Sequence, residues 1–360
     1  MSDSNSFIFS NSPKWLDNYT AYWSAPSNIA LVKYWGKQAP QIPKNPSVSF
    51  TLDKCRTHTK VYFQKQPHPQ ESFLFEISFD GIPKPEFKPK VQSFLNRIKD
   101  YVPYLLHYSL HIETSNTFPH SSGIASSASA MGALAACIMD LEVQLDPLKS
   151  ADYATQKTSF LARLGSGSAA RSIQGPIVAW GQHAKTPTSS DLYGIVIEDI
   201  RPVFSRFCDS VLLVDKGQKA VSSTLGHNLM KGHPFAHARF EQARDHYGQL
   251  IDILKTGDIE NFVKLVEKEA LSLHAMMLTS DPQYVLMQPN TLKIIQSVWE
   301  YRKKTGHQVA FTLDAGANVH LLYPNDIKEH VQSFIENDLS SFCQNGAYIH
   351  DQVGTGLKKM

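Results

Sequence analysis

The chain is 360 residues long, enough for two domains of ordinary size. Its composition, 42% hydrophobic and 19% charged, is that of a globular protein and excludes a disordered one. A net charge of +2 with no Lys/Arg block excludes a basic nucleic-acid surface, so any anion site must come from the local placement of a few residues. Cys55, Cys137, Cys208 and Cys343 form no C-x-x-C pair and no zinc spacing. The first residues lack a basic stretch followed by an apolar one, and no apolar run approaches the roughly 18 residues that span a bilayer. The expectation is a reduced, cytoplasmic protein with no membrane or nucleic-acid partner.

In chain order, the first dozen residues are Ser/Asn-rich and read as frayed. Residues 19–51 alternate short extended stretches with turn residues such as Pro26, Pro40, Pro43 and Pro46. Period-two alternation predicts strands over 47–52, 57–63 and 73–79. Val91, Phe94, Leu95 and Ile98 have helical spacing and predict a helix over 88–100. A polar strand end at 111–116 leads into a Ser/Gly loop and an apolar small-residue helix. A helix over 152–164 then breaks at 165–168, and strands follow at 177–180 and 193–200. Beyond residue 205 the texture turns helical. A strand at 211–215 and a cap at 222–224 precede helices over 234–255, 258–273, 291–305 and 326–339, with strands at 309–313 and 319–323. The expected organisation is α+β, with domains over 1–205 and 206–360.

Four segments carry chemistry. In Phe118-Pro-His-Ser-Ser-Gly-Ile-Ala-Ser-Ser-Ala128, serines and Gly123 precede a helix whose free N–H groups and dipole favour an anion. Alone it also reads as a buried Ala/Ser helix with an ordinary cap. Gly165-Ser-Gly-Ser-Ala-Ala-Arg-Ser172 offers close backbone approach, hydroxyls and a guanidinium fork, or a plain turn with a surface Arg. It fits the loose G-x-G-x-x-A dinucleotide pattern, but a helix rather than a strand precedes it. Asp314, between an apolar strand and Ala315-Gly316, suits proton handling, metal binding or a simple turn. Lys33 and Lys37 flank Tyr34-Trp35 in an apolar segment and can meet phosphates or solvent. The histidines show no H-E-x-x-H spacing, and no G-x-S-x-G elbow is present.

Taken together and in order, these segments resemble the diphosphomevalonate decarboxylases of the GHMP kinase superfamily. The carrying strings are 25–37, ending K-Y-W-G-K, then 116–128, G-S-G-S-A-x-R-S at 165–172, and D-A-G-x-N at 314–318. Departures are His120-Ser-Ser122, Thr117, Ala170, Ala317 and Gln38-Ala39, the last bearing on the loop near the substrate diphosphate.

The resemblance implies a two-domain GHMP kinase fold: an N-terminal α+β domain with a left-handed crossover, a ferredoxin-like C-terminal domain and an active site in the cleft between them. It implies ATP as co-substrate, Mg²⁺, a homodimer, and conversion of mevalonate 5-diphosphate to isopentenyl diphosphate. The residues that match give Asp314 and Arg171 as catalytic. Tyr34, Lys37, Ser166, Ser168, Arg171 and Thr224 fall to the substrate. Lys33, Asn116, Ser121, Ser122, Gly123, Ser126 and Ser127 fall to ATP, with no metal ligand assigned. A monophosphate decarboxylase, a mevalonate-type kinase without decarboxylation, and a non-catalytic metabolite-binding regulator are the alternatives.

Overall fold

A computed structural model describes residues 4–119, 124–148, 150–217 and 223–360. The first part carries strands β1 (Asn18–Val32), β2 (Lys37–Gln38), β3 (Ile42–Pro43), β4 (Ser47–Lys65), β5 (Leu74–Phe79), β6 (Ile82–Pro83), β7 (Tyr108–Asn116), β8 (Ile177–Trp180) and β9 (Ile195–Val196). Its helices are α1 (Lys88–Ile98), α2 (Ser126–Leu145) and α3 (Ala151–Gly165). The second part carries β10 (Cys208–Leu212), β11 (Ala310–Leu313), β12 (Val319–Tyr323), β13 (Tyr348–Gln352) and β14 (Lys358–Lys359). Its helices are α4 (Ser223–Asn228), α5 (Ala236–Thr256), α6 (Ile259–Leu278), α7 (Pro289–Thr305) and α8 (Lys328–Phe334). The fold class is α+β.

The larger sheet runs β14-β1-β4-β7-β5-β6, with β8 on β4 and β9 on β8. Val91, Phe94 and Leu95 of α1, Leu134 and Ile138 of α2, and Phe160 of α3 form one core against Val61, Phe63, Leu110 and Ile112 of the strands. Helix α2 is long and apolar enough to cross a membrane by length and composition, yet 83% of its apolar window is buried inside the protein, which makes it the central core helix. The far halves of β1 and β4 use Ile29, Leu31 and Phe50 to pack on Leu250 and Leu254 of α5 and Phe262 and Val266 of α6. The smaller sheet, β11-β12-β10-β13, is antiparallel and packs on α7 and α8 through Ile294, Val298, Val331 and Phe334.

Two strands expected over 47–63 are one, β4, with a break in its pairing to β1. The ladder jumps from Asn28↔Thr51 to Pro26↔Arg56. The amides stranded there, on Asp53, Lys54 and Cys55, donate to the carboxylate of Asp351 at 3.1, 2.8 and 2.7 Å. A residue 296 positions away thus satisfies the buried Cys55 donor, which unpaired would cost about 1–3 kcal/mol. The chain end returns as well, pairing Lys358 with Ser24 and Lys359 with Trp23. Neither C-terminal strand has an apolar pattern that announces it. The strand expected at 211–215 lies at 208–212, and its start includes a polar residue, Asp209, that is buried against His320 at 2.9 Å on β12. The helix expected over 326–339 is α8 followed by a π-helical turn at Ile335–Leu339.

Candidate active site

Sheet register brings the K-Y-W-G-K segment, the G-S-G-S segment and the Asp314 turn to one place. Lys33 follows β1 directly, and its ammonium meets the Asp314 carboxylate at 3.4 Å at the end of β11. The Lys33 side chain is 2% exposed and that of Asp314 27%. Burial lowers the lysine's pKa, and Asp314 opposes that shift. Lys33, assigned from the resemblance to the ATP phosphates, therefore faces the candidate catalytic carboxylate.

Arg171 ends the short turn Gly167–Arg171 and is buried. Its guanidinium donates to the hydroxyls of Ser47 and Ser49 and lies 5.8 Å from the ring centre of Trp180. Burial lowers its pKa to about 10, with Asp314 pulling the other way, so it stays charged at neutral pH. Arg171 is thus within the field of Asp314 while two serines fix its plane.

The Tyr34 hydroxyl is buried with no hydrogen-bond partner among the described residues, and burial raises its pKa. A Cβ at position 167 would lie 2.6 Å from that hydroxyl, which is why a glycine stands there. Gly36 is required twice over, by φ of +92° and by Phe240 2.7 Å from where its Cβ would be. Ser166 and Ser168 flank Gly167, and the Ser168 carbonyl accepts from the Asn28 amide at 3.2 Å. Lys37 is half-buried on β2, and burial with Arg97 nearby lowers its pKa. Thr224 lies in α4, with its side chain outside the described residues.

At the other end, Ser126 and Ser127 open α2 after Ala125 in a left-handed conformation. With Asn116 at the end of β7 they line the polar side of a cavity whose apolar side includes Phe79, Phe87 and Met131. Lys90 donates to Ser127 Oγ at 2.8 Å, and the Thr57 hydroxyl fixes Asn116 by donating to its Oδ1 at 2.8 Å. An aromatic-lined hollow beside a helix N-terminus suits a base joined to phosphates. Ser121, Ser122 and Gly123 lie outside the described residues.

Sequence reasoning missed the groups behind this front. Glu269, fully buried on α6, accepts from the Lys33 backbone N–H at 2.8 Å while Arg239 and His246 hold its carboxylate. His274 donates from Nε2 to the Asp314 carbonyl at 3.1 Å, and His227 Nδ1 accepts from the Gly36 N–H at 3.0 Å. Their only sequence signal is a polar residue on an apolar helix face, which names no partner.

These histidines give the fold an acid sensitivity. Burial, with Lys37 and Arg171 nearby, lowers the His227 pKa to about 3; burial lowers that of His274 to about 4, although its bond to Asp314 works against the shift. Unfolded, both protonate near 6.5. Below that pH the unfolded state binds more protons, so stability is full above about 6.5 and lost as pH falls toward 4 and then 3. Thermal midpoints should fall over that range, with His274→Asn showing a shallower slope. An unchanged slope would show that His274 takes up its proton in the fold as it does in the unfolded chain.

Comparison with known proteins matches the same order of segments. Residues 25–191 fit the sequence model of the diphosphomevalonate decarboxylase-like N-terminal domain, and 210–356 that of the mevalonate 5-diphosphate decarboxylase C-terminal domain. The diphosphomevalonate decarboxylase of Ganoderma lucidum is 30% identical over 344 residues, covering 91% of this chain and 83% of the relative. That of Saccharomyces cerevisiae is 30% identical over 88% of this chain and 81% of its own. Among solved structures, "MDDEF in complex with MVAPP, AMPPCP and Magnesium" superposes with a TM-score of 0.80 at 28% identity over 95% of this chain and 99% of that one. The mevalonate diphosphate decarboxylase of Staphylococcus aureus also gives 0.80, at 26% identity over 95% and 98%. Matched in both halves and nearly end to end, the chain belongs to the diphosphomevalonate decarboxylase family.

Proposed function

We propose that this chain catalyses the ATP-dependent decarboxylation of (R)-mevalonate 5-diphosphate to isopentenyl diphosphate. The C3 hydroxyl is phosphorylated, then phosphate and CO₂ are lost. The observation that carries the reading is Asp314 on a rigid strand end, 3.4 Å from the buried Lys33 ammonium and in the field of Arg171. A tertiary alcohol is crowded and weakly acidic, so its attack depends on in-line positioning and charge neutralisation. Asp314 orients the C3 hydroxyl and accepts its proton late. A carboxylate flanked by two cations is a weak base, which suits a loose transition state better than early deprotonation. Arg171, held in plane by Ser47 and Ser49, orients the substrate carboxylate with Ser166 and Ser168. Tyr34, Lys37 and Thr224 take the diphosphate.

The adenine fits the apolar side of the cavity, with Asn116, Ser126 and Ser127 toward the phosphates and Ser121, Ser122 and Gly123 completing the loop. Among the described residues no group of three His, Cys, Asp or Glu could hold a metal ion. Mg²⁺ would therefore arrive on the nucleotide phosphates with serine hydroxyls as its protein partners, and it supplies charge neutralisation there. The domain boundary is placed near residue 205, between β9 and β10, supported by the change from the larger to the smaller sheet. The compartment is read as cytoplasmic, supported by the free thiols Cys55, Cys137, Cys208 and Cys343, and the assembly as a homodimer, supported by the resemblance alone.

The enzyme is expected to prefer mevalonate 5-diphosphate over the 5-monophosphate and over mevalonate. Binding energy at the remote diphosphate positions the reacting centre, so truncated substrates lose kcat as well as affinity. Steady-state kcat/KM for the three, with CO₂ counted against ADP, tests the activity. Equal or better values with the monophosphate would reassign the substrate, and ADP without CO₂ would make the chain a kinase.

A further inference from the structure

His227 occupies a place that the reaction as described does not use. It lies on α4, 8% exposed, with its ring against Tyr34 at 4.2 Å and Trp35 at 4.9 Å between centroids. Because Nδ1 accepts from Gly36 N–H, the proton of the neutral ring must sit on Nε2. Among the described residues no hydrogen bond is accepted from that Nε2–H. It shares this condition with the buried Tyr34 hydroxyl, which has no hydrogen-bond partner among the described residues. Lys37 and Arg171 are both close enough to disfavour a charge on the ring, and the ring stays neutral above a pKa of about 3. A third cation would be costly there before a ligand arrives. A neutral donor adds a hydrogen bond without that repulsion.

We propose that His227 is a substrate-binding residue whose Nε2–H donates to an oxygen of the substrate's diphosphate, beside Tyr34 and Lys37, while the Gly36 bond fixes the ring. This rests on the substrate reading above and adds to it a neutral donor. The ring docks α4 onto the K-Y-W-G-K segment through one nitrogen and meets the ligand through the other.

The two nitrogens can be separated by substitution. His227→Asn places an amide oxygen near Nδ1 and keeps an acceptor for Gly36 but loses the outer donor. His227→Gln carries an amide N–H out toward the Nε2 position and loses the inner acceptor. KM for mevalonate 5-diphosphate should rise about tenfold or more in the Asn variant and clearly less in the Gln variant, with KM for ATP unchanged in both. Equal effects, or a worse Gln variant, would reduce His227 to a support for Gly36 and overturn the proposal.

A second measurement needs no variant. In ¹⁵N-histidine-labelled wild-type protein the His227 imidazole should show the Nε2–H tautomer, and its Nε2 signal should move on saturation with mevalonate 5-diphosphate. An unmoved signal overturns the proposal. If the wild-type protein fails to turn over mevalonate 5-diphosphate, the activity itself is wrong. The same titration with inorganic pyrophosphate then decides separately whether His227 faces an anion.

Discussion

Asp314→Asn is expected to lower turnover by about 10²–10⁴-fold, the usual cost of a lost acid–base group, while leaving fold and ATP binding intact. The carboxylate sits at the end of β11, and its backbone is held by His274, so an isosteric amide should not disturb the turn. What changes is the charge facing Lys33. The ammonium, 2% exposed, loses the partner that offsets its burial, while Glu269 continues to act on it. Lys33 is therefore expected to shed its proton more readily, so the substitution weakens two groups at once. Single-turnover phosphorylation and CO₂ release, with far-UV dichroism and nucleotide titration as controls, would show this. A variant with near-full rate would remove Asp314 from the chemistry.

Arg171→Lys should be almost as damaging, with a loss of about 10²-fold or more in kcat from misplacement of the reacting groups. Charge is kept but the fork is not. Ser47 and Ser49 each accept from a different guanidinium nitrogen, and the guanidinium plane lies beside Trp180. One ammonium cannot reach both hydroxyls and also face a carboxylate. A stability loss of about 1–3 kcal/mol should accompany the rate loss, because a buried serine is left without its donor. Kinetics and a denaturation midpoint on one preparation would measure both. Recovery of activity by Lys would make Arg171 a simple charge.

The sequence by itself determined the elements with a strong local period. Helices α1, α3 and α5 to α7 and strands β8 and β12 stand within a few residues of where apolar spacing places them. It also determined the family, because K-Y-W-G-K, G-S-G-S-A-x-R-S and D-A-G-x-N are strings of unusual composition in a fixed order. Such signals are local: each can be read within a window of a dozen residues. Tertiary structure alone decided the partners. Asp351 caps amides of β4, Glu269 holds the backbone of Lys33, and His227 docks on Gly36 across 191 positions. It also placed Lys33 against Asp314, 281 residues apart. Sequence leaves these open because a buried polar residue needs only some partner of opposite character within about 3 Å. Which one it meets is set by the packing of β1, β11 and α6, and no local pattern encodes that.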